Sequence, residues 1–432
     1  MIQSAAFWLV LALSVPLYWL TPARFRMGFL ALVSIGYLST VAVWSVVLFL
    51  GWSLVFFWGL PWMLRVQTRQ TAQRAVRVSE SLQEGGGTAT GTATIGVAEL
   101  PTRSSIYRWG LPTLMIVFLA CFICFRYVLP KMTASARQPA GAIPVMLGIS
   151  YFTFKLLHYA AEVSRGNIKD RSLPRFLCYV FLFPTFTAGP INRFDHFLAN
   201  QPGRWEPALL VDGLTRVIHG LIKRFIVAGM LLAPSYEYLV KARTLLPASD
   251  MPTTVGLWGL AIQAYLYLYM DFSAYSDIAI GASRLFGLRM PENFDWPILA
   301  PNIAVFWKRW HMTLTLWCQS YVYMPVLGLT RSPYLAVYAA FVAIGLWHGA
   351  TFEWTLWGVY HATGLAIYQV WARARRRWKW RFAESALWKC AGVVATLLFV
   401  SAGTIATMAT APTGYEVARV LAKLLFIDLP PR

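Results

Sequence analysis

Long apolar runs with very few charges alternate with short basic stretches along almost the whole chain. Of its 432 residues, 58% are hydrophobic and 13% are charged, whereas about 25% of a soluble domain is charged. A run of roughly 20 apolar residues is long enough to cross the hydrocarbon core of a bilayer as a helix. The pattern predicts an all-α, polytopic integral membrane protein and excludes a soluble globular domain.

The positive charge of the chain fits a membrane better than a nucleic acid. The formal net charge is +20, but the basic residues lie between the apolar runs, as the positive-inside rule expects of cytoplasmic loops. We therefore expect a multi-pass protein of the cytoplasmic (inner) membrane, with the lipid bilayer and no nucleic acid as a partner. Five cysteines are scattered, and the C-x-x-C pair Cys121 and Cys124 lies in an apolar run. Helix packing explains this pair better than a redox or zinc site does.

The order of the runs predicts a single membrane domain over residues 1–432. Within it we expect N-terminal spans over 1–130 with a basic cytoplasmic loop at 65–108, a core at 141–371 and a last span at 387–408. The first apolar run, from Ala5 to Leu20, has no basic stretch before it and no clear cleavage site, so we interpret it as a retained span. A cytoplasmic loop at 65–108 would then place the N-terminus outside. The run from Met27 to Leu64 is long enough for two helices.

The segment FLCYVFLFPTFTAGPINRF breaks this alternation. Pro184 and the pair Gly189–Pro190 interrupt a helical hydrogen-bond ladder. Irregular backbone at membrane depth is tolerated only where protein or a water-filled cavity covers it. The segment is interpreted as a re-entrant or cavity-lining element, with a surface loop as the alternative. The following stretch, 209–225, is typical of a helix that lies at the membrane surface.

Several ionisable side chains lie within apolar runs, where they are expensive and usually functional. Three of the six histidines, His311, His348 and His361, fall between Phe306 and His361. Asp271 and Asp277 lie among tyrosines and aliphatic residues in YMDFSAYSDIAIG. Two interpretations of these carboxylates remain open: they orient a histidine or bind a substrate amine, or they form a structural hydrogen-bond hub inside the bundle.

Four motifs together carry a resemblance to a known family: FWKRWHMTLTLW, GLWHGATFEWTLWGVYH, YMDFSAYSDIAIG followed by PENFDWP, and FPTFTAGPINRF. Together, and in the order in which they occur along the chain, they resemble the membrane-bound O-acyltransferase family over about residues 144–369, which implies that the core at 141–371 is catalytic. The resemblance implies a ring of tilted transmembrane helices around a central tunnel with re-entrant elements. It also implies that an acyl thioester arrives from the cytoplasmic side and an acceptor hydroxyl from the other side. His348 in the W-H-G motif matches the catalytic histidine, and His311 matches the second motif residue.

Two bacterial branches of that family fit these motifs. One moves D-alanyl groups in teichoic acid modification, and the other O-acetylates exported alginate or cellulose. We place D-alanyl transfer slightly ahead. Where the family commonly has an R-D-Y element, this chain has Gln319, Ser320 and Tyr321, so no charged pair is expected there. The resemblance further implies a cytoplasmic acyl carrier protein and an extracytoplasmic partner transferase.

Acyl transfer to a hydroxyl requires a group that removes a proton and a group that stabilises negative charge. Histidine suits the first task, because its unperturbed pKa lies near 6.5. We assign His348 as the base and His311 as a polarising donor or oxyanion stabiliser. His361 is expected to be structural. The remaining histidines, for which solvated or capping roles suffice, are His158, His196 and His219.

Other chemistries have less support. No H-x-x-x-H pair and no G-x-S-x-G elbow occurs, so we expect no metal and no serine nucleophile. No cofactor is expected to stay bound, and an acyl carrier protein or acyl-CoA would supply the thioester. A transporter or pore without acyl chemistry, and a scaffold that only docks a carrier, remain alternatives of another class. Substrate or tunnel candidates are Trp347, Trp310, Asp271, Asp277, Asn293 and Pro190, and carrier-docking candidates are Lys169 and Arg171.

Overall fold

The structure is a computed structural model that describes most of the chain. The described residues are 2–62, 105–130, 146–168, 170–201, 203–234, 237, 253–380, 385–408 and 414–429. The predicted docking residue Lys169 lies outside them, as does most of the predicted loop at 65–108.

Every regular element within the described ranges is helical, which confirms the all-α prediction. The first helices are α1 (Ala5–Leu20), α2 (Arg26–Leu54), α3 (Ser105–Ile123), α4 (Ile149–Ser164), α5 (Leu173–Phe181), α6 (Phe194–Ala199) and α7 (Pro207–Leu221). They are followed by α8 (Thr254–Leu285), α9 (Ile303–Arg309), α10 (Met312–Cys318), α11 (Met324–Thr330), α12 (Pro333–His348), α13 (Phe352–Arg377), α14 (Ala386–Met408) and α15 (Gly414–Leu424). π-Helical turns extend α2, α3, α7 and α10 over Val55–Gly59, Cys124–Val128, Ile222–Leu232 and Gln319–Tyr323.

Three helical stretches of the described chain are long and apolar enough to cross a bilayer. They cover Ala23–Trp62, Gly110–Val128 and Ala386–Ile405. The first has 40 residues, about twice what one crossing requires. Ala42 interrupts it with non-helical backbone angles (φ −156°, ψ 69°). The run therefore divides into two helical halves, as the sequence predicts.

The described helices gather into two compact units. The smaller unit comprises Pro16–Thr187 and Arg193–Ala199, and the larger unit comprises Met1–Val15, Ala188–Asn192 and Asn200–Arg432. The predicted catalytic core, 141–371, contributes residues to both.

Aromatic side chains fill the core of the smaller unit. The ring of Phe49 on α2 stacks on Phe152 of α4, with centroids 4.1 Å apart. Further along α4, the Tyr159 ring centroid lies 4.4 Å from that of Phe176 on α5. Such pairs add to the stabilisation from apolar burial itself.

The break that the sequence predicts near Pro184 falls in this unit. Helix α5 ends at Phe181, and the buried Lys155 of α4 donates from Nζ to the carbonyl oxygens of Tyr179 (3.0 Å) and Val180 (3.2 Å). These carbonyls belong to the last helical turn, where no further backbone N–H is available. The backbone N–H of Phe183 donates to Oγ of Ser34 (3.3 Å). Side chains thus satisfy the irregular backbone, as an apolar setting requires.

In the larger unit, α7 packs closely along α8 at glycines. A Cβ at Gly213 would lie 2.6 Å from Leu285 Cδ2, and one at Gly281 would lie 2.6 Å from the Gly213 carbonyl oxygen. Leu210, Val211 and Leu214 of α7 are exposed. The predicted surface helix therefore has one face packed on α8 and one exposed apolar face.

Glycines also set the contact between α12 and α13. A Cβ at Gly345 would lie 2.2 Å from the carbonyl oxygen of Trp354, and one at Gly358 would lie 2.5 Å from that of Phe341. Small residues of this kind let membrane helices approach to backbone distance.

Replacing Gly358 by alanine is expected to lower the free energy of unfolding. The new methyl group meets the carbonyl of Phe341, which belongs to a helix and cannot rotate away, and overpacking of this kind costs about 1–3 kcal/mol. Thermal unfolding in detergent measures the change. Gly259 of α8 is the matched control, because a Cβ there meets nothing within 4 Å. Equal melting temperatures for Gly358→Ala and Gly259→Ala would contradict the proposed close approach.

Candidate functional site

Two motif segments pair with each other through their backbones. The N–H of Asp295 donates to the carbonyl oxygen of Arg309 (3.0 Å), and the N–H of Met312 donates to that of Asn293 (2.9 Å). The PENFDWP segment after α8 is thereby fixed against the turn between α9 and α10. That turn contains His311.

His311 occupies a constrained position at the start of α10. Its backbone is left-handed (φ 43°, ψ 52°), a region that costs non-glycine residues energy and that often occurs at functional sites. The side chain is 2% exposed. Its ring meets Phe272 of α8 edge-on, with centroids 4.8 Å apart, and its Nδ1 lies 2.9 Å from Oδ1 of Asn293.

Asn293 is the centre of a small polar network. It is completely buried, and its Oδ1 accepts hydrogen bonds from Thr313 Oγ1 (2.9 Å) and the Thr313 N–H (3.4 Å) as well as facing His311. Its Nδ2 donates to Oγ of Ser276 on α8 (3.2 Å). Both ends of this buried amide are therefore satisfied, as burial requires.

The GPINRF motif joins the same network. The N–H of Ile191 donates to Thr313 Oγ1 (3.0 Å), and the N–H of Ala188 donates to the hydroxyl of Tyr275 on α8 (3.3 Å). Pro190 is buried between these two anchors.

His348 is the last residue of α12 and lies among three tryptophans. Its ring stacks on Trp354 (centroids 4.6 Å apart, planes at 18°), meets Trp357 edge-on at 5.7 Å and lies 4.5 Å from Trp347. The glycine of the W-H-G motif has a steric reason here, because a Cβ at Gly349 would lie 2.4 Å from Cδ1 of Trp354. Stacking thus fixes the orientation of the imidazole.

Both motif histidines belong to the larger unit. His311 precedes α10 and His348 ends α12, and each ring is held by contacts with its own neighbours.

His361 has different surroundings. It is 2% exposed on α13, and its ring packs against Trp307 (5.1 Å), Trp357 (4.5 Å) and Phe399 (5.4 Å). This aromatic setting supports the structural role that the sequence favours. His158 also has a packing role, since its Nε2 accepts a hydrogen bond from the N–H of Phe194 at the start of α6 (2.9 Å).

The two carboxylates of α8 pair with bases rather than with histidines. Asp277 accepts from Arg216 Nε (2.7 Å) and from Lys223 Nζ (2.6 Å), and Asp271 pairs with Arg224. These contacts tie α7 and its π-helical extension to α8. Of the two interpretations, they favour the structural hub.

Two further candidates, Trp310 and Asp271, have different surroundings. Trp310 stacks on Phe306 (5.6 Å) and meets Phe294 edge-on (5.2 Å), so it packs in an aromatic cluster next to His311. Asp271 lines a cavity of about 180 Å³ together with Gln3, Arg224 and Tyr275. In the part of the chain that the structure describes, no cluster of three or more His, Cys, Asp or Glu residues has the geometry to hold a metal ion.

Sequence reasoning missed four residues of this site. Trp354 and Trp357 flank His348, and their three-residue spacing on one face of α13 is a signal that was available. Thr313 and Ser276 carried no signal beyond their positions near motif residues, because only the tertiary contact with Asn293 gives them a role.

Comparisons with known proteins agree with the motifs. The model of the membrane-bound O-acyltransferase family matches residues 104–409. A probable alginate O-acetylase AlgI of Pseudomonas aeruginosa is 32% identical over 287 residues, which cover 63% of this chain and 53% of that protein. A teichoic acid D-alanyltransferase of Bacillus subtilis is 29% identical over 259 residues, 56% of this chain and 64% of that protein. A teichoic acid D-alanyltransferase of Streptococcus thermophilus is 32% identical over 278 residues, which cover 58% of this chain and 64% of that protein. The matched regions span between about half and two thirds of these relatives.

Asp277→Asn is expected to destabilise the protein. It leaves Arg216 and Lys223 without their shared, 7% exposed carboxylate, and losing hydrogen bonds to a buried charged group costs about 1–3 kcal/mol. Urea or thermal unfolding in detergent measures the loss.

Asp212→Asn is the matched control for this prediction. Asp212 pairs with Arg284 (3.3 Å) across the same two helices, but its side chain is 56% exposed, and exposed pairs contribute about 0–1 kcal/mol. If both variants unfold alike, the hub interpretation of Asp277 is wrong.

Proposed function

The chain belongs to the membrane-bound O-acyltransferase family, and from this premise we propose that it is an O-acyltransferase of the cell envelope. It moves an acyl group from a cytoplasmic thioester donor across the membrane to a hydroxyl of an envelope polymer. The observation that carries the proposal is the family match over residues 104–409, together with the fixed orientation of both motif histidines: His311 lies against Asn293 and His348 stacks on Trp354.

The proposed reaction needs one group that accepts a proton from the hydroxyl and later gives that proton to the leaving thiolate. His348 takes the proton from the acceptor hydroxyl as the hydroxyl oxygen attacks the thioester carbonyl, and a carbon–oxygen bond forms. The tetrahedral centre then collapses with cleavage of the carbon–sulfur bond. The leaving thiolate takes up the proton that His348 held. We propose His311 as the second catalytic residue of this step.

The proposed architecture places this centre between the two faces of the cytoplasmic membrane. A ring of tilted helices with re-entrant elements surrounds a tunnel in a multi-pass protein, so that donor and acceptor reach the histidines from opposite sides. The irregular segment around Pro184, with its side-chain-satisfied backbone, supports the re-entrant element. Trp347 and Trp310, which flank the two histidines, are proposed as tunnel residues.

For the acyl group, D-alanyl on teichoic acid is our first proposal. The two D-alanyltransferase relatives, which match this chain over 64% of their length, support it. O-acetylation of an exported polysaccharide is the second candidate, because the alginate O-acetylase relative is 32% identical to this chain. In either case we propose that a partner transferase outside the membrane completes the modification.

His348→Ala is expected to lower acyl transfer from thioester to polymer by about 10²–10⁴-fold, which is the usual contribution of a positioned general base. Membrane vesicles from cells that make the protein and its partner transferase, supplied with an acyl carrier thioester and the acceptor polymer, provide the assay. His219→Ala is the matched control, because His219 is exposed on α7. Full activity of His348→Ala would place the reaction elsewhere, and transport without an acylated product would favour the pore.

Mass spectrometry of the envelope polymer identifies the transferred group. Cells that express the wild-type chain should carry a D-alanyl ester that is absent from cells with the His348→Ala chain. An acetyl ester in its place would select the second candidate.

Charge reversal in the loop between α4 and α5 is expected to weaken binding of an acidic acyl carrier protein. Lys169 and the half-buried Arg171 are the proposed docking residues, and attraction between exposed charges falls as the salt concentration rises. Binding of the carrier to Lys169→Glu/Arg171→Glu protein, measured at two salt concentrations, tests this.

Lys389→Glu controls for the general field of the protein, because it changes the sign of an exposed charge at the start of α14. Equal weakening by both changes would mean that a diffuse positive field, and not this loop, attracts the carrier.

A further inference from the structure

The orientation of the Asn293 amide follows from one of its neighbours. The backbone N–H of Thr313 is a donor only, and it lies 3.4 Å from the amide atom that also faces His311. That atom must therefore be the oxygen, Oδ1. The other end of the amide faces the Ser276 hydroxyl (3.2 Å), which can accept from Nδ2.

The same oxygen determines where His311 carries its proton. A carboxamide oxygen accepts and cannot donate, so Nδ1 of His311, at 2.9 Å, is the donor. In a neutral imidazole the other nitrogen then has a lone pair. That nitrogen, Nε2, is buried and has no hydrogen-bond partner among the described residues.

We propose that Asn293 is a positioning residue that holds His311 in the Nδ1–H tautomer, so that His311 enters the reaction as a proton or hydrogen-bond acceptor at Nε2. The inference rests on the proposed acyl transfer. The sequence alone favoured His311 as a polarising donor or oxyanion stabiliser. Such a donor needs a proton on Nε2, and the Nδ1–H tautomer has none there.

The backbone conformation of His311 also indicates that the surrounding structure fixes the position of its ring. His311 holds a left-handed conformation (φ 43°), which persists only where the surrounding structure enforces it. Asn293 supplies part of that enforcement twice, through its side chain and through its carbonyl, which accepts from the Met312 N–H (2.9 Å).

The GPINRF motif helps to hold the side-chain amide of Asn293 in place, through Thr313. Because the N–H of Ile191 donates to Thr313 Oγ1 (3.0 Å), that hydroxyl is free to donate its own hydrogen to Asn293 Oδ1 (2.9 Å). Residues from three distant parts of the chain thus belong to the network around Asn293 Oδ1, and this oxygen sets the tautomer.

Two substitutions of Asn293 separate positioning from packing. Asn293→Leu keeps the number and branching of the heavy side-chain atoms but removes the acceptor, and we expect kcat to fall by about 10²-fold or more with a smaller change in KM, since a wrong tautomer disables the ring. Asn293→Asp keeps the acceptor and adds a negative charge beside Nδ1–H. It should rescue much of the lost activity and shift the acidic limb of the pH–rate profile upward by about one pH unit or more, because a carboxylate favours the imidazolium.

Ser276→Ala is the matched control. It removes the partner of Nδ2 and leaves Oδ1 untouched, so it should leave the acidic limb where it is. A purely structural role for Asn293 predicts that Asn293→Asp and Ser276→Ala both act on stability alone, without a displaced pH profile.

Nitrogen-15 spectra of histidine-labelled protein provide a readout that does not depend on activity. Protonated and bare imidazole nitrogens have well-separated chemical shifts, and the signal that His311→Gln removes identifies His311. We expect Nδ1–H in the wild-type and Ser276→Ala proteins, and a mixture of tautomers in Asn293→Leu. Nε2–H in the wild-type protein would overturn the inference even if acyl transfer is active. The expected tautomer in a protein without acyl transfer would instead refute the proposed function alone.

Discussion

The hydrogen bond between His311 and Asn293 is the interaction on which the candidate site depends. It joins a turn between two short helices to a segment without regular secondary structure. Two backbone hydrogen bonds run alongside it, from Met312 to Asn293 and from Asp295 to Arg309. In an apolar interior a lost hydrogen bond cannot be replaced by water, so each partner holds the other in place. The position of the second motif histidine is therefore a property of the whole network.

The same requirement for paired polar groups organises the rest of the described chain. Lys155 satisfies the last carbonyls of α5, and Ser34 satisfies an N–H just beyond them. Asp277 binds two bases of the neighbouring helical segment. Each of these polar groups lies where a helix stops, bends or meets another helix. At the contact between α12 and α13, glycines allow the close approach, and a hydrogen bond between the hydroxyls of Tyr338 and Thr363 (2.8 Å) joins the two helices.

Much of this arrangement could be predicted from the sequence, because motifs and breakers are local signals. Pro184 and the Gly189–Pro190 pair marked the irregular segment, and the W-H-G motif marked His348. Partners could not be predicted in the same way. That Asp277 would bind Arg216 and Lys223, and that Thr313 would connect Ile191 to Asn293, depends on contacts between residues far apart in the chain. The length of the run Met27 to Leu64 predicted two helices, but the position of the break at Ala42 could not be predicted, since neither proline nor glycine occurs there.

The left-handed turn at His311 limits which side chains that position can accept, apart from any demand of chemistry. β-Branched and bulky aliphatic residues rarely adopt such angles, whereas asparagine, aspartate and histidine do so several-fold more often. Natural variation at this site should accordingly run toward short polar side chains. An asparagine there would preserve the chain path while moving its polar tip closer to the backbone, so that a reacting group would have to approach more deeply to reach it. The backbone conformation at this position would then determine how far the side chain extends into the site, as well as which chemical groups it can offer.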